Sequence, residues 1–142
     1  MALMASNQGE QGRHGASISL ERRIEWIDTD AAGRYHYATT FRLIEAAETS
    51  LLTRLGIEAI FPQLPRAHLE VDFKQTVNFR DLVEVNLEVV SVGTSSISYE
   101  FGLLHGGELC VRGKLVGVLV DSDGRPTPWP DEYRQLLMTA GD

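Results

Sequence analysis

A single stretch of helical spacing, from about Tyr37 to Leu55, stands ahead of stretches whose apolar residues fall at every second position. Phe41, Ile44, Glu48, Leu51 and Leu55 share one helical stripe, with Ala47 and Leu52 beside it. Gly56 suits the helix end, and Thr39 or Thr40 could cap its start. Downstream, Ala67, Leu69, Val71 and Phe73 point one way, while Arg66, His68, Glu70, Asp72 and Lys74 point the other. Val83 to Val89 and Ile97 to Leu103 alternate likewise. Leu109 to Val120 is nearly continuous, which predicts a strand buried on both faces. Upstream, Ile18, Leu20, Ile24 and Trp26 predict a strand of about ten residues starting at Ser17. Short links at Gly93-Thr94-Ser95 and His105-Gly106-Gly107 predict hairpins, and Pro130 opens a short last helix to about Met138. The economical packing is α+β: one long helix on an antiparallel sheet of about five strands. An unpaired long sheet edge invites a second copy, so a dimer that continues the sheet is expected.

The chain's 142 residues fit one domain. Residues 1–16 lack periodicity and read as a disordered tail, with 17–142 as the domain. Thirteen Lys and Arg against twenty Asp and Glu give a formal charge of −7, which argues against nucleic acid or an anionic membrane as partner. The one cysteine, Cys110, excludes an internal disulfide and reads as a small buried hydrophobe. No stretch has the length of a membrane span and no secretory signal is evident, so the cytoplasm is the expected location.

Chemistry concentrates in Asp28-Thr29-Asp30-Ala31-Ala32-Gly33-Arg34-Tyr35-His36-Tyr37, just ahead of the long helix. A helix N-terminus offers unpaired N–H groups that can polarise a carbonyl. A nearby carboxylate can act on that carbonyl as nucleophile or general base. Ala31, Ala32 and Gly33 leave room for a substrate to approach the backbone. Together these suggest acyl transfer. Two alternatives use the same residues: turn and capping chemistry alone, or a metal held by Asp28, Asp30 and His36.

The segment Arg23-Ile24-Glu25-Trp26-Ile27-Asp28-Thr29-Asp30-Ala31-Ala32-Gly33, with the helix ending Leu55-Gly56-Ile57, resembles the hot-dog-fold acyl-CoA thioesterases, in particular the 4-hydroxybenzoyl-CoA thioesterase and YbgC-like branch. Val71-Asp72-Phe73 through Val77-Asn78-Phe79-Arg80-Asp81 resembles that family's second strand and following turn. Asp121 to Pro130 resembles its C-terminal part, so the likeness spans about residues 18–138. The resemblance implies a long helix wrapped by an antiparallel sheet, and a homodimer, in some members paired again into a tetramer, with active sites at the dimer interface. It implies Asp30 as the catalytic carboxylate, as nucleophile or general base, and the Tyr37 backbone N–H as oxyanion donor. The substrate implied is an acyl-CoA or acyl-carrier thioester. Neither a metal nor an organic cofactor is needed, coenzyme A entering as part of the substrate.

The sequence also departs from the family pattern. His36-Tyr37 stand in the reverse of the YbgC-like order, with Thr39 where that branch has Asn, which leaves His36 as a catalytic candidate displaced by one step. The hairpin that carries basic ligands for the CoA phosphates reads Val92-Gly93-Thr94-Ser95-Ser96. Hydroxyls and backbone of Thr94, Ser95 and Ser96 would then hold phosphate, or Arg112, Lys114 or Arg80 would supply charge. Glu45 and Glu48 lie one turn apart on or near the buried stripe; each either lines the pocket or pairs with Arg42, Arg54 or the partner subunit. Glu45 occupies a position that is acidic in the family and joins the catalytic candidates. A non-catalytic acyl-thioester-binding or assembly role, and a hydratase or dehydratase using His36, are the competing functions.

Overall fold

The computed structural model describes residues 15–139. Five strands, β1 (Ser17–Arg23), β2 (Arg66–Phe73), β3 (Leu82–Val92), β4 (Ser96–His105) and β5 (Glu108–Val118), form one antiparallel sheet in the order β1-β3-β4-β5-β2. The long helix α1 (Thr39–Leu55) packs on one face, and the short α2 (Asp131–Met138) follows the last strand. The inward row of β3 and β4, with Val83, Val85, Leu87, Val89, Ile97, Tyr99, Phe101 and Leu103, is fully sequestered. Leu43, Ile44, Ala47, Leu51 and Leu52 of α1 close over it. Each such aliphatic side chain contributes roughly 1.5–3 kcal/mol of transfer free energy. This is the α+β arrangement expected from the spacing, one long helix on an antiparallel sheet of five strands, and it has the form that the resemblance implies.

Five details differ from the sequence reading. Residues 1–14, including His14, lie outside the described residues, but Gly15 and Ala16 belong to the fold: the Gly15 N–H donates to Val89 O at 2.7 Å and Ala16 is buried. β1 stops at Arg23, and a 3-10 turn at Trp26–Asp28 leaves Trp26 exposed rather than inward. α1 starts at Thr39, and neither threonine caps it: the Thr39 hydroxyl donates to Asp28 O, and Thr40 bonds the Tyr35 hydroxyl. β5 is buried on its inner face alone, since Arg112 and Lys114 stand exposed on the outer one.

The fifth difference is in β2. Arg66 pairs with Gly117 but His68 pairs with Val116, so the chain bulges at Ala67. A bulge adds one residue and reverses the facing of what precedes it. Arg66 therefore leaves the outer row of His68, Glu70 and Asp72 and turns toward α1. It meets Glu48, whose side chain is 0% exposed, with Nη2 2.5 Å from Oε1. Arg42 does not take that place, since it pairs with Asp28. No helix among the described residues is long and apolar enough to cross a membrane.

Candidate active site

The segment between β1 and α1 is tied by its first aspartate. Asp28 is buried; its Oδ2 accepts the Glu25 N–H at 2.7 Å and its Oδ1 accepts Arg42 Nη2 at 2.5 Å. Its carbonyl accepts the His36 N–H and the Thr39 hydroxyl, each at 2.8 Å. Both carboxylate oxygens and the carbonyl of Asp28 are thus engaged in fixing the turn and tying it to the helix. Among the described residues no three His, Cys, Asp or Glu side chains gather in a set that could hold a metal.

Asp30 has the opposite surroundings. It is exposed, and its Oδ1 accepts the N–H groups of Ala32 at 2.8 Å and Arg34 at 3.2 Å. Those two amides, the Ala32 one foremost, hold its carboxyl below the usual aspartate range. The group is therefore ionised at neutral pH, with Oδ2 accepting no hydrogen bond among the described residues. Gly33 closes this turn at φ +78°, a conformation glycine adopts without strain; its N–H donates to Asp30 O at 3.0 Å.

The approach to α1 uses up most of its first amides. Ala38 N–H donates to His36 Nδ1 at 3.1 Å, Thr39 N–H to His36 O and Thr40 N–H to Tyr37 O. The Tyr37 N–H donates to no atom among the described residues. His36 stacks on the Tyr37 ring, centroids 4.8 Å apart, and its accepting Nδ1 assigns the neutral ring's proton to Nε2.

Asp30, His36 and Tyr37 border one hollow of about 500 Å³, together with Arg34, Phe73 and Lys74. The wall beyond them comes from the link after β2: Tyr35 N–H donates to Val77 O at 2.8 Å and Phe79 N–H to Gly33 O at 3.2 Å. Arg34 and Lys74 are cations that the sequence reading passed over. Lys74 counted there as one residue of an alternating strand, and nothing local to it indicates a neighbour 44 positions upstream.

The remaining candidates lie elsewhere in the chain. Glu45 lines a second hollow of about 270 Å³ with Phe41, Ile44, Arg66, Leu69 and Leu115. Thr94, Ser95 and Ser96 form the β3–β4 hairpin, at the opposite end of the sheet from the start of β3 and hence from Asp30. That hairpin is tied down from behind: Trp129 N–H donates to Thr94 O, Trp129 Nε1 to Ser96 O, and Arg134 to Val92 O and Gly93 O. Arg112 lies on the outer sheet face, 3.9 Å from Asp72, away from α1.

An ionised carboxylate, and a residue whose amide is unspent, bordering one hollow are equipment for attack on a carbonyl. Residues 24–137 match the model of the thioesterase-like superfamily. The 1,4-dihydroxy-2-naphthoyl-CoA hydrolase of Synechococcus sp. (strain CC9311) is 33% identical over 123 residues, covering 76% of this chain and 80% of the relative. The enzyme of that name from Synechococcus elongatus is 24% identical over 135 residues, covering 89% and 99%. In three dimensions the fold matches a 1,4-dihydroxy-2-naphthoyl-CoA thioesterase from Synechocystis, TM-score 0.78 at 19% identity over 85% of this chain and 95% of that one. It also matches a gentisyl-coenzyme A thioesterase, TM-score 0.77 at 22% identity over 84% and 99%. With the superfamily model spanning α1 and the four strands β2 to β5, the chain belongs to the thioesterase-like superfamily, the hot-dog-fold thioesterases.

Proposed function

We propose that this protein hydrolyses an acyl-CoA thioester whose acyl group is a hydroxylated aromatic ring, and that it does so as a homodimer. The observation that carries the hydrolase reading is the pairing of Asp30 with the unspent Tyr37 amide on one hollow. The carbonyl oxygen of the thioester accepts the Tyr37 N–H. Asp30 then either attacks the carbonyl carbon or takes a proton from a water that attacks it. Either route builds a tetrahedral oxyanion, and its collapse breaks the C–S bond and releases the thiolate, which takes up a proton. In the first route water then hydrolyses the mixed anhydride and frees Asp30. The amide accelerates the step to the extent that it binds the oxyanion more strongly than the ground-state carbonyl.

Arg34 and Lys74 supply the positive charge for coenzyme A phosphates that the β3–β4 hairpin lacks. The aromatic acyl group is argued from the relatives, which are named for 1,4-dihydroxy-2-naphthoyl-CoA and gentisyl-CoA. The homodimer is argued from β2, an edge strand flanked by exposed Phe41, Leu69 and Phe73.

The test is thiol release from aliphatic, benzoyl and hydroxybenzoyl thioesters of coenzyme A, with Asp30→Asn beside the wild type. Turnover that disappears in the variant supports the reading. Tight binding of acyl-CoA with no thiol released by the wild type would replace it with a binding function.

A further inference from the structure

The bulge at Ala67 puts a cation where the alternation of β2 would place an outward side chain. Arg66 is then gripped from three sides. Glu48 sets its charge against Nη2 from the core as an ion pair, without completing a hydrogen bond to either of its oxygens, the Phe61 ring lies 5.5 Å from the guanidinium, and Leu64 O is 3.5 Å from Nη1. Burying Glu48 costs free energy that a surface carboxylate avoids, and the pair recovers it only through good geometry. The return on that arrangement is a guanidinium fixed in direction. Its side chain remains 32% exposed and lines the second hollow.

That hollow has apolar walls, Phe41 and Ile44 from α1 and Leu69 and Leu115 from the sheet. Its two polar groups are Arg66 and Glu45, whose Oε2 lies 3.9 Å from Nη2, beyond hydrogen-bond length. The second hollow lies on the seam between α1 and β2, and the first lies where the segment ahead of α1 meets the end of β2 and the link after it. Tyr37 and Phe73 line the first, and Phe41 and Leu69, each four residues away, line the second.

We propose that the second hollow holds the aromatic ring of the acyl group, and that Arg66, positioned by Glu48, is the residue that selects a ring bearing a hydroxyl. This rests on the thioesterase reading and deepens it. A hydroxyl can accept from Arg66 and donate to Glu45 at once, closing the gap between them. Arg66 and Glu45 are solvated in the free protein, their side chains 32% and 59% exposed, so an unsubstituted ring displaces their water without replacing its hydrogen bonds, which is the situation in which a polar site rejects the analogue that lacks its partner. The Glu48–Arg66 pair is neutral as a unit and Glu45 adds one negative charge, so an acyl group ending in a carboxylate is repelled.

The test is equilibrium binding, in the Asp30→Asn background, of benzoyl-CoA and its 2-, 3- and 4-hydroxy isomers. At least one hydroxy isomer is expected to bind tenfold or more tightly than benzoyl-CoA. Arg66→Met is expected to bring that ratio to within twofold of one. If the single variant does not fold, Glu48→Met/Arg66→Met removes both charges and serves instead. A flat isomer series in the Asp30→Asn protein overturns the proposal, as does a preference that survives loss of Arg66. A merely structural role would weaken all four thioesters alike and leave the ratio standing, which also overturns it. Because binding is read without turnover, these outcomes are separate from failure of the hydrolase reading, which shows as undiminished thiol release by Asp30→Asn.

Discussion

Asp28 and Asp30 stand two residues apart in opposite surroundings: Asp28 is buried and bonded to Arg42 and the Glu25 amide, while Asp30 is exposed and bonded to its own turn. Identical side chains therefore have different tasks. Asp28→Ala is expected to cost about 1–3 kcal/mol of stability, the range for stranding the partners of a part-buried charged hydrogen bond. Asp30→Asn is expected to unfold no earlier than the wild type, yet to lose thiol release by a hundredfold or more. Denaturant melts run beside the thiol assay separate the two; a catalytic loss confined to Asp28→Ala would reverse the assignment.

The pH dependence follows from the same turn. The Ala32 and Arg34 amides favour the ionised form of Asp30 and lower its pKa from 3.8. A depressed pKa means the carboxylate persists as pH falls, and with it the stabilising amide bonds, until pH drops through the folded value. The acid limb of kcat/KM is thus expected to have its midpoint below 3.8, with a flat profile above it. Rates between pH 3 and 8, paired with circular dichroism to confirm folding, check this. An acid limb with its midpoint well above 3.8 would indicate that Asp30 is not the essential base.

Most of the fold was legible because periodicity is local. The stripe from Ile44 to Leu52 and the rows Val83–Val89 and Ile97–Leu103 depend on neighbours within a few residues, and they formed as expected. What could not be read depends on single insertions or long-range meetings. Counting alternation through Ala67 sends Arg66 outward, and one bulged residue reverses it. The same count carried β1 on to Trp26, although the pairing ends at Ile24, whose N–H donates to Asp81 O, and the chain then turns at Trp26–Asp28. The Asp28–Asp30 turn was visible in the sequence, but not which aspartate is spent on Arg42, nor that Lys74 joins Asp30.

Arg34 and Lys74 border the Asp30 hollow in a protein of net charge −7. If they hold coenzyme A phosphates, Lys74→Ala should raise KM for an acyl-CoA about tenfold, an effect that fades as salt screens it. The same variant should leave KM for the N-acetylcysteamine thioester, which has no phosphate, nearly unchanged. Equal effects on both thioesters would move the phosphate contacts elsewhere.

Glu48 and Arg66 also make a stability prediction. Arg66→Met alone leaves a buried carboxylate without its cation and is expected to cost about 3 kcal/mol, the low end for breaking a buried pair because Arg66 is partly solvated. Adding Glu48→Met should recover most of that loss, since apolar side chains of similar volume suit this interior. A double variant no more stable than the single one would mean that the pair is not energetically coupled.

β2 runs along one edge of the sheet with nearly every residue exposed, and its inward row carries Leu69 and Phe73 beside Phe41 of α1. A bare edge with apolar side chains is unstable against pairing with another strand, and a second β2 placed antiparallel would satisfy both edges at once. Sedimentation is therefore expected to find a dimer or a larger even assembly. Phe73→Lys sets like charges against each other across a symmetric contact and should shift the protein toward monomer. Phe73 also lines the Asp30 hollow, so activity alone would not distinguish the two effects. The deciding measurement is the concentration dependence of the variant's sedimentation coefficient. A wild type that stays monomeric at high concentration would show that the β2 edge is covered some other way.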